Sequence, residues 1–344
     1  MTNNTSTKKK PHVIGRFFAF IGVNLFCLVL ILLGMIWVIE RGPSPTVTGL
    51  FTRSVRETSA IRWISNIFLT DEELEHYKSV STEELSTEAV NTSLIHITSS
   101  SSEESPTGVE LIDIAHGTAK GKLLLVHNPK QVILGTSNEF VRQPGLLLTD
   151  MVTKYQGIAG INAGGFNDEN GSGDGSTPQG LVITNGEIVW GDRYTPYHMV
   201  GLDADGILHV GAMNGNQAIE KGIQWAVSFV THDGLASSLI INGEIQTQNL
   251  GGGVNPRTAI GQREDGTIML LVLDGRSIST IGASMQDVAD ILLEYGAVNA
   301  GNLDGGSSSV MVYNGEIINH CASVTGPRRI PTGFIVLEEG DPIG

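Results

Sequence analysis

Cysteine is nearly missing from this sequence, with 2 among 344 residues. Two thiols cannot build a disulfide framework or a four-ligand zinc site, and Cys27 lies in an apolar run far from Cys321. Positive charge is scarce as well: 21 Lys and Arg stand against 36 Asp and Glu, a formal net charge of −15. Gripping nucleic-acid phosphates takes a basic surface, so no nucleic-acid partner is expected. Familiar catalytic signatures are also lacking: there is no G-x-S-x-G serine, no H-E-x-x-H pair, and no Walker or G-x-G-x-x-G loop. The 9 His are scattered singly. His209, inside an alternating strand pattern, reads as structural.

One long hydrophobic run is present. Residues 17–39 carry no charge, and a helix of that length is roughly 35 Å long, enough to cross a hydrocarbon core. Lys8, Lys9, Lys10 and Arg16 precede it, while Glu40 and Arg41 follow and cancel. The basic flank stays inside. The expectation is a cytoplasmic basic tail at 1–16, a single transmembrane helix at 17–39, and an extracellular remainder held at the cell membrane.

Residues 40–107 read as a membrane-proximal helix followed by a stalk. Over 50–70, Leu50, Val55, Ile61, Ile64 and Phe68 are spaced to share a helix face, with Arg53, Arg56 and Arg62 elsewhere. Such a helix either lies on anionic headgroups or packs against protein. From Asp71 to Thr107 the chain is acidic and rich in Ser and Thr, with 9 acids and 1 Lys. It has little apolar surface to offset ordering entropy and reads as a flexible spacer.

The rest, 108–344, alternates short apolar runs with glycine turns. Asn185-Gly186, Asn242-Gly243 and Asn314-Gly315 each sit between β-prone stretches, and Asp205-Gly206 and Asp265-Gly266 repeat the pattern. Asn-Gly at this spacing marks a type I′ hairpin, whose two central residues need φ > 0. Helices are few. Ser284 with Asp287 forms a capping-box pattern ahead of an apolar face ending at Gly296, and 149–157 is a shorter candidate. The expected class is α+β: a mostly antiparallel sheet system with hairpins and a few inserted helices, preceded by the transmembrane helix.

Polar residues concentrate at three glycine-flanked places: 161–168 (INAGGFND), 251–261 (GGGVNPRTAIG), and the ends of two apolar strands, 271–276 (LVLDGR) and 302–309 (NLDGGSSS). A charge just past a buried strand is partly desolvated, which opens a carboxylate's pKa to tuning and lets Arg hold an anion bidentately. Gly305 and Gly306 allow a ligand close to the backbone beside Asp304. The spacing Asp168, Asn170, Ser172, Gly173, Asp174 is that of a calcium loop, but Gln179 stands where the bidentate Glu belongs. No cofactor is expected, with calcium as the alternative.

These segments, with 282–309 as a block and the closing 326–332 (GPRRIPT), resemble the phosphodiester glycosidase family. That family includes the enzyme that uncovers mannose 6-phosphate, and bacterial members labelled as exopolysaccharide-biosynthesis proteins. The resemblance covers about 110–340. One departure is Ser307, where the family commonly has a third glycine. The resemblance implies hydrolysis of sugar-1-phosphodiesters in a cell-envelope glycan or exopolysaccharide. Asp304 and Asp274 would be the catalytic carboxylates, and Arg257 and Arg276 the phosphate clamps. Asn162, Asn302, Phe166, Gly305, Gly306 and Ser307 would contact the sugar phosphate. Two other readings stand beside it: a non-catalytic glycan-binding or wall-scaffolding module of the same fold, and a phosphodiesterase that cuts the P–O bond.

Overall fold

The computed structural model describes residues 13–58, 61–77, 89–97, 108–168, 173–229, 238–246, 250, 252–275, 277, 280–323 and 326–338. Helix α1 (Val13–Arg41) is exposed along its apolar length and is long and apolar enough to cross a membrane. Helix α2 (Pro45–Arg56) follows, started by the Ser44 cap and Pro45 in its first turn. Thus the 50–70 stretch is not one helix. It begins earlier, stops at Glu57, and continues as a 3-10 turn at Arg62–Asn66.

These pieces pack together. Thr48 Oγ1 donates to the Ile39 carbonyl (2.8 Å), and Arg41 binds the Phe68 carbonyl and the carboxylate of Glu73, on helix α3 (Asp71–Tyr77). The spacer reading also meets structure further on. Asn91 N–H donates to Asn242 Oδ1 (2.7 Å) and His96 N–H to the Glu264 carbonyl (2.6 Å), so residues 89–97 lie against two hairpins of the sheet domain. Residues 78–88 and 98–107 fall outside the described set.

Three antiparallel sheets follow. The largest runs β1 (Val109–His116), β2 (Ala119–Val126), β13 (Ile268–Leu273), β12 (Arg257–Arg263), β14 (Ala297–Asn302), β10 (Ser238–Ile241), β11 (Glu244–Ile245). The second runs β16 (Glu316–Ile317), β15 (Met311–Tyr313), β4 (Gly157–Asn162), β17 (Thr332–Leu337), β3 (Val132–Thr136). The third runs β6 (Glu187–Trp190), β5 (Val182–Thr184), β9 (Ile223–Ser228), β7 (Tyr197–Asp203), β8 (Leu208–Met213).

Strand β13 shows how the layers stack, being buried on both faces. Ile268, Leu270 and Val272 join the core shared with the other two sheets. Met269 and Leu271 face α6 (Met285–Glu294) through Val288 and Leu292. Alternation in a strand delivers side chains to opposite faces, so one apolar run serves two cores.

The three Asn-Gly turns adopt positive φ at both residues, as type I′ requires. The two Asp-Gly turns differ: only Gly206 and Gly266 have positive φ. Each Gly N–H donates three residues back, to Asp203 or Arg263, making a type I turn with a left-handed glycine. Asp203 Oδ1 accepts amides of its own turn, and its Oδ2 lies 2.8 Å from His209 Nε2. His209 is a hairpin residue. The capping box at Ser284 forms as expected, and the shorter helix α4 spans Leu148–Lys154, while α5 is Gly215–Glu220.

Candidate active site at the strand ends

The ends of β4, β12 and β14 meet at one buried amide. Asn162 Nδ2 donates to the Asp304 carbonyl (2.5 Å), and its Oδ1 accepts from Thr258 Oγ1 (2.9 Å) and Val310 N–H (3.0 Å). Asp304 N–H donates to the Ala163 carbonyl (2.9 Å), and Gly306 N–H to the Pro256 carbonyl (2.9 Å). The 304–306 loop is therefore pinned to both neighbouring strands through its backbone. Asn162→Ala is expected to cost about 1–3 kcal/mol by orphaning these buried groups, read as a lower Tm.

Asp304 points its carboxyl into a crowded polar corner. Burial pushes this carboxyl up to about 7, against the Ser308 hydrogen bond and the charge of Arg328. Arg328 sits on the loop before β17, with Nη1 on Asp168 Oδ2 (2.5 Å) and Nη2 on Asp168 Oδ1 (2.8 Å). Nη2 also donates to the Gly173 carbonyl (2.8 Å), and Nη1 lies 3.4 Å from Ser307 Oγ. Its guanidinium rests 5.0 Å over the Phe166 ring, a cation–π contact. The Asp168 hydrogen bonds hold Arg328 firmly charged. Because Asp168 neutralises that charge, Arg328 does little to keep Asp304 ionised, and burial decides its pKa. Gly306 has φ +64, and a Cβ there would meet nothing within 4 Å. The loop borders open space, where a ligand could reach the backbone.

A second polar group lies on the neighbouring loop. Arg257 is buried, with Nε on the Ala283 carbonyl (3.1 Å) and Nη2 on Glu57 Oε2 (2.9 Å). Glu57 also accepts from Gly253 N–H (2.7 Å) and Asn255 Nδ2 (2.6 Å).

The family model for phosphodiester glycosidases matches residues 155–337, more than half of the chain. The chain belongs to that family. Among curated relatives, an SPbeta prophage-derived uncharacterized protein of Bacillus subtilis is 26% identical over 238 residues, 65% of this chain and 36% of that protein. Bovine N-acetylglucosamine-1-phosphodiester alpha-N-acetylglucosaminidase is 36% identical over 91 residues, 25% of this chain and 17% of the bovine one. This chain thus spans well under half the length of either. Among solved structures, the catalytic domain of the zebrafish N-acetylglucosamine-1-phosphodiester alpha-N-acetylglucosaminidase, described as auto-inhibited by its pro-peptide, superposes with a TM-score of 0.56. It is 22% identical, covering 71% of this chain and 87% of that one, so it speaks to the fold.

In this phosphodiester glycosidase fold, the residues singled out by sequence take different places. Asp304, Gly305, Gly306 and Ser307 share the loop next to Arg328 and Asp168. Asn162 is spent inside the protein, positioning that loop. Phe166 is buried, its ring carrying Arg328 instead of facing open space. Asn302 is buried with an Oδ1 that has no partner among the described residues. Asp274 accepts the His320 amide (2.8 Å), and burial pushes its carboxyl up against that bond. Its carboxylate fastens the 319–321 segment, whose Cys321 Sγ lies 4.0 Å from the Ser307 carbonyl. Arg276 falls outside the described residues.

Two residues of the corner do work that the sequence does not announce. Arg328 reads there only as part of the closing motif, and Asp168 as the first residue of the calcium spacing. Both Asp168 oxygens are taken by Arg328, and Oδ1 also accepts Gly173 N–H (2.7 Å). Asn170 and Ser172 of the calcium spacing fall outside the described residues. Among the described residues, no three His, Cys, Asp or Glu gather as a metal site. The signal available in sequence is charge complementarity, an acid after the first glycine motif and a cation before the last strand.

Proposed function

We propose that this chain hydrolyses sugar-1-phosphodiesters, freeing the sugar from the phosphate, on the outer side of a membrane that α1 crosses. The observation that carries the reading is Asp304, a carboxyl with its pKa near 7 on a glycine loop beside a guanidinium. A group poised near neutrality suits proton transfer at physiological pH. As the C1–O bond breaks, its electron pair passes to the phosphate oxygen, which leaves as a monoester. Ionised Asp304 stabilises the positive charge growing at C1 and takes a proton from the water whose oxygen bonds to C1. A phosphomonoester leaves readily, so one carboxylate suffices and Asp274 keeps its structural task. Arg257 and Arg276 receive the phosphate. No cofactor is needed for this route. An exported site points to glycans of the cell envelope or exopolysaccharide as substrate, and the relatives' names point to N-acetylglucosamine 1-phosphodiesters as the first compounds to test.

The deciding experiment gives the full chain, in detergent, UDP-N-acetylglucosamine in ¹⁸O-water. Free N-acetylglucosamine carrying the label supports C–O cleavage. N-acetylglucosamine 1-phosphate with labelled UMP moves the chain to P–O chemistry, and binding without turnover makes it a glycan-binding module. Topology has its own test. Protease added to intact cells is expected to remove 108–344 and spare an N-terminal tag; a domain protected until lysis would place it inside.

A further inference from the structure

We infer that α2 and the 3-10 turn after it lie on the outer leaflet of the membrane that α1 crosses, with Arg53, Arg56 and Arg62 seating the phosphates of anionic lipids. The inference rests on the membrane-spanning part of the proposed function and adds the surface that holds the domain to the bilayer. The depth follows from α1. About 20 residues of helix cross a hydrocarbon core, so a span starting at Phe17 leaves it near Ile36. At that exit Leu33 and Ile36 are partly covered and Glu40 is buried, while Met35 and Trp37 are exposed. The cover includes α2, which packs along the end of α1 and binds the Ile39 carbonyl through Thr48 Oγ1 (2.8 Å). This places α2 at headgroup depth.

Two chemistries share this unit. One is apolar and open. Val47 and Trp63 are 50% and 61% exposed, and so are Leu50, one turn along α2 from Val47, and Ile67 to a lesser degree. Tryptophan favours the boundary between membrane and water. The other is cationic and unmatched. Arg53, Arg56 and Arg62 are half-buried. Their Nε atoms, and Nη2 of Arg62, are covered with no hydrogen-bond partner among the described residues. Nearby carboxylates are committed elsewhere, Glu57 to Arg257 and Glu73 to Arg41. In a chain of formal net charge −15, these arginines are a local excess of positive charge.

Val47, Leu50 and Arg53 recur at three-residue spacing, so the apolar side of α2 runs into its cationic end. The helix dipole favours arginines in the last turn of α2, but it explains neither Arg62 nor the open Trp63 that follows it. A soluble anion would use the arginines and leave the apolar side bare. An anionic bilayer uses both, and a guanidinium grips phosphate oxygens in pairs. The C-terminal part of α2 also holds the sheet domain: Ser54 Oγ accepts Val254 N–H (2.8 Å), and Glu57, just past the last turn, binds Arg257 (2.9 Å). Docking α2 on lipid therefore sets the height of the domain over the surface.

The test places the full chain in phosphatidylcholine nanodiscs carrying the same fraction of one nitroxide-labelled lipid, either phosphatidylglycerol or phosphatidylcholine. Trp63 quenching is read as the difference between wild type and Trp63→Phe, with melting temperature as the folding control. Labelled phosphatidylglycerol is expected to quench about threefold more than labelled phosphatidylcholine, and Arg53→Gln, Arg56→Gln and Arg62→Gln combined to erase that preference. Wild-type hydrogen exchange over 45–56 needs no variant. It is expected to slow about fivefold or more when unlabelled phosphatidylglycerol is added. Equal quenching by both lipids, with exchange blind to the headgroup, overturns the lipid seats. Inorganic phosphate that slows exchange in pure phosphatidylcholine discs as much as phosphatidylglycerol does also overturns them, giving the arginines to a soluble anion. Protected α1 amides with Trp63 unquenched by either lipid overturn the docking and leave α1 in the bilayer. Unprotected α1 amides in the disc overturn the membrane reading itself, and the docking with it.

Discussion

Asp304→Asn is expected to lower sugar release by about 10²–10⁴-fold while the domain stays folded. Asn has nearly the shape of Asp but neither stabilises a positive carbon nor takes up a proton. The fold survives because the backbone of residue 304 stays tied to Ala163 and Asn162, and the Asn side chain keeps an oxygen that accepts the Ser308 and Gly305 hydrogen bonds. Turnover within a few-fold of wild type would reduce Asp304 to a turn-closing residue that Asn replaces equally well.

The same substitution carries a stability signature of defined sign. Burial raises the Asp304 carboxyl to about 7 in the folded protein, above the unfolded value of about 3.9. A raised folded pKa means the native state favours the protonated form. Its contribution is fully present below about pH 4 and is lost as pH rises through about 7. Asp304→Asn removes that loss, so the variant is expected to melt higher than wild type at pH 8, by about 1–3 kcal/mol, and alike at pH 4. A lower Tm at pH 8 would mean that ionised Asp304 is held by partners stronger than burial.

Much of the fold was legible because its signals are local. Asn-Gly needs two left-handed residues, and Ser284 with Asp287 closes a cap within one turn, so no distant partner had to be known. The Asp304 loop stands out in the sequence because two Asp and two Arg recur beside glycines near strand ends, and because the run resembles a family motif; one such acid alone is equally a turn-closing residue. What escaped was pairing across the chain. Asp168 and Arg328 are 160 positions apart, and each alone looks like a loop charge. Asn162 reads as a sugar contact because a polar residue at a strand end gives no hint that three other strand ends will use its amide. Glu57 is hidden in a segment whose helical spacing suits a membrane surface or a packing face equally, and nothing local says that its partner is a buried arginine.

Asp168→Asn is expected to shift the acid limb of the kcat/KM–pH profile downward from about 7, by about one unit. Two changes act in the same direction. Removing the Asp168 charge removes a repulsion that raises the Asp304 carboxyl, and it leaves the Arg328 charge uncompensated beside Asp304. Both favour ionised Asp304. The arginine keeps its Gly173 carbonyl and its place over Phe166, and the substituted carboxamide retains one acceptor oxygen. The pair is largely buried, at 11% and 14% side-chain exposure, so a stability loss of about 1–3 kcal/mol accompanies the shift. A structural role alone would lower Tm and leave the pH profile in place. A profile that moves while kcat on its plateau stays within a few-fold identifies Asp168 as the residue that sets how much of Arg328's charge Asp304 feels. If the limb stays near 7, burial alone governs Asp304, and the Asp168–Arg328 pair serves only to fasten the 307 loop to the strand ends.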